Sequence, residues 1–507
     1  MTRVILYSSV VAALIVMILV ALFNEKSEIE RVYDLAGDNA KELKTVIEHF
    51  KKEDSLKYGA ARFLVKGLPY HFTNHYSWLD KQNNKVEIVP RDYKSREKIN
   101  EFIQSKGLEF RRDTFAYHPE SIKSKYLIDN IELAFEAWEQ LPWKDSVSFN
   151  DFKEYILPYC LGSELTEEWR LFFRLNHGQI KDSIYSKSDP IKVAKYITKI
   201  FDVWRWYNDN ASFLTNHQSC SELFRYRCVE CINYAHLIVM ACRSFGIAAA
   251  VDEIPLWGNR NSSHCECSVL AKDGKWHGLG DHGVWSDVYY DGRRVSKVFK
   301  RTYSRQDWTL ASKVKNKKKL PPLLQNECYI DATPDYCPAQ NIDIRLDTII
   351  KNEKYVYSCV FNNNRWQAVH WAKMNKDDSV CFTNMAPYVV YLPSFYIDYE
   401  YVPASNPVIV DTSGKVNVFN IDYNRLQSFE VSHWELSHKL NKSIQNGDKV
   451  YLYIWKNSWE YFSQGILKEN LWVFNDVPSN TIFKVESMKA GDRPRIFSVE
   501  DNKVNWW

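Results

Sequence analysis

Along residues 231–246 the apolar positions stop alternating and run together. Cys231, Ile232, Tyr234, Ala235, Leu237, Ile238, Val239, Met240, Ala241 and Cys242 leave Asn233 and His236 as the polar interruptions. Such a run predicts a helix buried on nearly every side, and Arg243 with Gly246 beyond it supplies the stop signals. After Gly246 the period changes to two. Ile247 to Ile254 reads as a strand, Pro255 to Ser263 as a loop, and His264 to Ala271 as a second strand. Lys275 to Gly280 returns after an Asp273-Gly274 turn. A two-residue turn sets Glu266 opposite Asp281 and puts His264 on the same face, diagonal to Asp281, roughly 7 Å away between backbones. Cys265 and Cys267 then point to the other face.

Upstream, helical periodicity recurs at Asp34 to Lys52, Ile128 to Leu141, Phe149 to Leu157 and Glu164 to Leu175, with Ser163 or Thr166 starting the last. A further helix spans Pro190 to Asn208, and Trp204, Trp206 and Tyr207 at its end either pack against neighbours or wall a thiol pocket. Residues 25–190 are therefore expected to be a mainly helical domain. The aromatic and histidine patch from Tyr70 to Trp78 reads as an inter-helix contact, with a cleft wall as the alternative.

Downstream, Val284 to Lys300 continues the β pattern past an Asp291-Gly292 turn. Lys313 to Lys319, followed by Pro321 and Pro322, reads as an exposed linker at 313–325. Short alternating runs then recur: Tyr355 to Asn362, Trp366 to Ala372, Val380 to Thr383, Tyr388 to Leu392, Val416 to Ile421, Val450 to Trp455 and Thr481 to Glu486. Turns such as Asn446-Gly447-Asp448 separate them. They predict β-sandwich-like modules at 326–405 and 406–507, with a break near Pro403 to Val410.

Residues 4–23 are 20 uncharged positions, long enough to span a bilayer. Arg3 precedes them and Glu25, Glu28 and Glu30 follow, which orients the rest of the chain outside the cytoplasm. An uncleaved anchor in residues 1–24 is favoured over a cleaved signal sequence, because no small-residue cut site follows Ala21. The chain is thus expected in the cell envelope.

The 507 residues imply about three domains. A net charge of +3 is too small to argue for a nucleic-acid partner. Eleven cysteines, an odd number, leave Cys220–Cys228 and Cys242–Cys265 disulfides open. The pair Cys228 and Cys231 forms a CxxC that admits a redox or zinc reading. A zinc site with Cys265 and Cys267 is disfavoured, since strand alternation sets both on one face where they cannot readily share a metal with a helix-borne CxxC. No phosphate loop or HExxH motif occurs, and neither cofactor nor metal is expected.

A thiol in a helix's first turn is favoured as thiolate by the helix dipole, and it needs a base, which in turn needs an acceptor to fix its tautomer. The order Cys231, Arg243, Gly246-Ile247-Ala248-Ala249, His264, Asp281 resembles the transglutaminase-like superfamily of papain-related cysteine enzymes. That resemblance implies an α+β chain in which a core at 191–312, a cysteine-bearing helix against an antiparallel sheet, follows a helical N-terminal region and precedes the β modules. It implies Cys231 as nucleophile, His264 as general base and acid, and Asp281 as orienting acceptor. The implied chemistry is hydrolysis of an amide in a peptide, protein or glycopeptide through a thioester, with transfer to an amine as the family's other outcome. The acceptor could also be another Asn or Asp. Val229, Asn233 and Glu266 stand where the family has Gly, Asp and an aromatic residue, which supports a second reading: a non-catalytic binding protein on a degenerate core.

Overall fold

The computed structural model describes residues 28–52, 54–202, 217–280, 283–284, 292–440, 444, 448–487, 491 and 493–507. Residues 4–23, Trp204, Trp206, Tyr207, Asp281, Asp291 and the Asn446-Gly447 pair lie outside them. Among the described residues no helix is long and apolar enough to cross a membrane. Two compact units form. One comprises Met1–Val251, Glu266–Gly283 and Thr302–Arg305; the other comprises Asp252–Cys265, Val284–Arg301 and Gln306–Trp507.

In the first unit, α1 (Ala40–Lys51) buries Leu43, Val46, Ile47 and Phe50, a stripe at helical spacing. Asp54 caps α2 (Ser55–Gly67) by accepting from the backbone N–H groups of Leu56 and Lys57. The expected helical run then breaks. Phe72 to Leu79 is a strand, β1, paired antiparallel with β3 (Glu109–Tyr117) and flanked by the two-residue β2 (Lys85–Val86). The patch from Tyr70 to Trp78 is therefore mainly strand rather than an inter-helix contact. Thr73 and His75 turn inward while Phe72 faces out, the two-residue period of a pleated strand. Between β2 and β3 lies α3 (Arg96–Lys106).

Helices α4 (Ser124–Glu139), α5 (Phe149–Tyr155), α6 (Trp169–Asn176), α7 (Gln179–Lys187) and α8 (Pro190–Phe201) follow. Helix α6 starts five residues later than its acidic run suggests. The Glu164 carboxylate accepts from Leu161 and Gly162 backbone N–H groups at 2.7 and 2.8 Å, which closes a loop instead of opening a helix. Helix α9 (Cys220–Tyr226) begins on a capping box of Ser219 and Glu222. Helix α10 (Cys231–Ser244) is buried from Asn233 onward. The fully buried Arg170 fastens its end by donating to Arg243 O at 2.7 Å and to Asn130 Oδ1 at 2.7 Å. Gly246 ends the turn at φ +80°, where a Cβ would stand 2.6 Å from Ala137 O.

Strands β4 (Ala249–Ile254), β5 (His264–Leu270) and β6 (Trp276–Gly280) follow, and β7 (Gly283–Val284), β8 (Phe299–Arg301) and β9 (Tyr329–Asp331) complete a sheet ordered β7-β6-β5-β4-β8-β9. The β5–β6 register differs from expectation by one residue. Leu270 pairs with Trp276 and Cys267 with Leu279, because the turn holds three residues, Lys272 to Gly274, with Gly274 at φ +80°. The expected pairing of Glu266 with Asp281 rested on the two-residue turn, and Asp281 itself lies outside the described residues. A one-residue slip exchanges faces, so register no longer carries the placement of Asp281 beside His264.

The second unit is β-rich. One module joins a sheet ordered β12-β11-β14-β16-β17, with β15 (Glu400–Pro403) on β14, to a ribbon of β10 (Gln340–Arg345) and β13 (Ser379–Met385). Here β11 is Tyr355–Asn362, β12 Arg365–Lys373, β14 Val390–Ile397, β16 Val408–Val410 and β17 Val416–Val418. Val356, Val360, Phe382, Tyr391 and Phe395 fill its core. A second module joins three strands (Asp422–Ser432, Ile466–Lys468 and Leu471–Ser479) to a five-stranded sheet around Phe429, Leu452, Phe474, Phe483 and Phe497. The segment at 313–325 keeps its lysines exposed, as a linker would, but it is anchored at two points. Leu320 and Leu324 are buried with Leu310, Tyr329 and Phe361, and Lys317 pairs with Glu327.

Candidate functional site

Cys231 is the first residue of α10 and half-buried, while Cys228 three residues earlier is buried. Burial first, and the Glu230 charge second, push the Cys228 thiol up to about 11, so it stays protonated at neutral pH. The two cysteines of the CxxC thus differ in burial. Glu230 precedes the helix with an extended backbone, and its carboxyl is raised above its ordinary value by burial and then by the neighbouring Cys231, against a smaller pull from Arg96. All eleven cysteines are thiols, so neither Cys220–Cys228 nor Cys242–Cys265 is bridged. Among the described residues no group of three or more His, Cys, Asp or Glu is arranged to hold a metal ion.

Asn233, two positions after Cys231, is wholly buried and accepts the Gln218 backbone N–H at 2.9 Å. It fixes the approach to the helix, a structural task an asparagine performs without charge. His236 lies deeper on the same helix, fully buried, with its Nδ1 4.0 Å from the Glu164 carboxylate and its ring 5.0 Å from that of His217.

His264 opens β5 in the second unit's segment and is half-buried. Its ring stacks on Trp257, centroids 5.7 Å apart and planes at 27°. The loop between those two rings is held by residues remote in sequence. The buried Asn362 side chain donates to the carbonyls of Arg260 and Ser262 at 3.0 and 3.2 Å and accepts the Ser262 N–H at 3.0 Å. Arg495, fully buried, donates to Gly258 O at 2.7 Å and to Phe361 O. Burial lowers its guanidinium to about 9. No local motif marks Asn362 or Arg495; they act only once the second unit has folded. Cys231 and His264 thus each have a defined setting within their own unit, and Asp281 lies outside the described residues.

A second polar centre was not legible as one in the sequence. His75 on β1 is bonded through Nδ1 to Asp113 and through Nε2 to Glu222, both at 2.9 Å. Two carboxylate partners require both ring nitrogens to donate, which is the imidazolium form. Burial opposes that charge, but the hydrogen bonds donated to Glu222 and Asp113, with the charges of those carboxylates, outweigh it and hold His75 above its ordinary value. Burial likewise opposes ionisation of Asp113, yet Lys85, His75 and Ser77 bring it down to about 2.

The family model described as the transglutaminase-like superfamily matches residues 180–294. None of the curated proteins matches the chain. Among solved structures the chain is similar to the crystal structure of red sea bream transglutaminase, at 7% identity and a TM-score of 0.20, over 85% of this chain and 76% of that one. A superposition that loose carries no argument about activity.

Proposed function

Taking residues 180–294 as a transglutaminase-like domain, we propose that the chain is a thiol-dependent enzyme that hydrolyses amide bonds of a peptide or glycopeptide. Cys231 is its nucleophile, His264 its general base and acid, and Asp281 the acceptor that orients the ring. The observation that supports this most is the place of Cys231: a half-buried cysteine at the first position of a helix that is buried from Asn233 onward. The amide N–H groups of a helix's first turn have no intrahelical partners and favour negative charge beside them. The thiolate adds to the amide carbonyl carbon, the C–N bond breaks, and His264 passes its proton to the departing amine. Water then cleaves the thioester, which releases the acid and restores the thiol. Residues 4–23 would hold the enzyme to a membrane with its bulk outside the cytoplasm, facing substrates of the cell envelope.

Iodoacetamide labelling followed residue by residue with mass spectrometry tests the reading. Cys231 should react faster than a simple thiol at pH 7, and its labelling should slow on acidification and in a His264→Ala variant. Labelling no faster than a simple thiol would favour the binding-protein reading. A product made equally from peptide and glycopeptide mixtures by wild type and Cys231→Ala would remove Cys231 from the mechanism.

A further inference from the structure

Within the first unit a cleft of about 340 Å³ opens beside β1 and α9, and neither Cys231 nor Glu230 lines it. Trp78, Phe110, Ile88 and Tyr226 supply apolar and aromatic walls. The Phe110 ring lies 5.0 Å from that of Trp78 and stacks on Tyr76 at 5.5 Å. Each charged side chain of the lining already has an opposite partner. His75 sits between Asp113 and Glu222, Lys85 lies 2.5 Å from Asp113, and Arg225 lies 2.5 Å from Glu87. A ligand therefore meets no unbalanced charge.

Gln218 is different. It lines the cleft at 1% exposure, and neither its Nε2 nor its Oε1 has a partner among the described residues. Its backbone is pinned by Asn233, so the chain cannot readily shift to find one. Buried polar groups are nearly always paired, and one that is not calls for a partner from outside the fold. A carboxamide offers donor and acceptor side by side, the complement of a second amide. Its depth suits a short pendant amide better than a continuous peptide backbone.

We propose that this cleft binds an N-acetylated amino sugar, with the acetamido group paired to Gln218 and one face of the pyranose laid on Trp78 and Phe110. The site goes beyond the thiol chemistry and does not depend on it.

The test is isothermal titration of the full-length Cys231→Ala chain, in which Cys231 cannot turn substrate over, with N,N′,N″-triacetylchitotriose. Cellotriose, the same rings without acetamido groups, and an acetylated glutamine peptide serve as the other arms. The acetylated trimer is expected to bind, with cellotriose and the peptide each weaker by about tenfold or more, the scale of one buried hydrogen-bonding group left unpaired. Gln218→Leu should lose about tenfold in affinity with no fall in melting temperature, because it breaks no hydrogen bond within the fold. Phe110→Ala, at an exposed ring, should weaken binding several-fold and serves if Gln218→Leu does not fold. No saturable binding of the trimer at millimolar concentration, equal binding of cellotriose, tighter binding of the peptide, or unchanged affinity in the variants would each overturn the proposal.

Discussion

Replacing His75 with glutamine removes one positive charge from between two carboxylates and keeps much of the side-chain volume. The side chains of His75, Asp113 and Glu222 are 7%, 5% and 15% exposed, so the lost charge is not replaced by water. Taking one partner from a buried ion pair costs about 3–5 kcal/mol. Lys85 stays 2.5 Å from Asp113 but is 64% exposed and screened, so it offsets only part of that loss. We expect about 2–3 kcal/mol for His75→Gln near pH 5.5, or a melting temperature lower by roughly 5–10 °C in a unit of this size. The pH dependence follows from the directions of the shifts. His75 is held above its ordinary 6.5, so its stabilisation is complete below that pH and is lost as pH rises through the folded value. Asp113 is held down at about 2, so its stabilisation is present above its ordinary 3.8 and is lost only as pH falls through about 2. Urea unfolding of wild type and variant at pH 5.5, 7 and 8.5 should show the gap narrowing as pH climbs. A gap that stays constant or widens would mean that packing, not the imidazolium, was removed.

Other consequences can be checked by the same means. Gly67→Ala places a Cβ 2.2 Å from the Tyr303 ring and should destabilise the first unit by about 1–3 kcal/mol, read as a lower urea midpoint; an unchanged midpoint would show that Tyr303 moves aside without penalty. Asn362→Ala should speed amide exchange at Ser262, whose N–H loses its acceptor, and cost roughly 1–3 kcal/mol. Equal exchange in both proteins would deny Asn362 its hold on the loop before His264. Lys300 and Asp252 are fully buried and joined at 2.7 and 2.8 Å, with Tyr336 also on Asp252 at 2.8 Å. Lys300→Met alone should cost about 3–5 kcal/mol in chemical denaturation, and Lys300→Met with Asp252→Leu should recover most of it. A double variant as unstable as the single one would contradict that reasoning.

The sequence was most legible where one physical rule acted alone. A mostly apolar run, broken only at Asn233 and His236, marked the helix that starts at Cys231, and the short apolar run Tyr355–Asn362 matched β11, which is buried on both faces. It was least legible where burial is polar. The inward face of β1 carries Thr73 and His75, so no hydrophobic alternation announces a strand. The β5–β6 register slipped because Lys272-Asp273-Gly274 suits a two-residue or a three-residue turn, and the left-handed Gly274 settles it in favour of three. At 313–325 the exposed lysines carry the linker signal, while Leu320 and Leu324, which carry none, are the residues that pack. That a helix starts at Cys231 and a strand at His264 could be read from local pattern. Gln218, Asn362 and Arg495 could not, since each gains its task from residues far away in the chain.

The first unit closes with four residues, Thr302–Arg305, that arrive long after its main stretch. Tyr303 places its ring on His71, 4.3 Å between centroids, and donates its hydroxyl to Leu64 O at 2.7 Å, while its backbone N–H reaches Glu154. A ribosome that has delivered residue 251 has therefore not yet delivered a finished unit. The nascent chain must wait, with α2 and α5 lacking their last neighbour, until 54 further residues have emerged. Gene fragments cut at 251 should yield insoluble product for the same reason, and cuts placed beyond residue 305 should fare better.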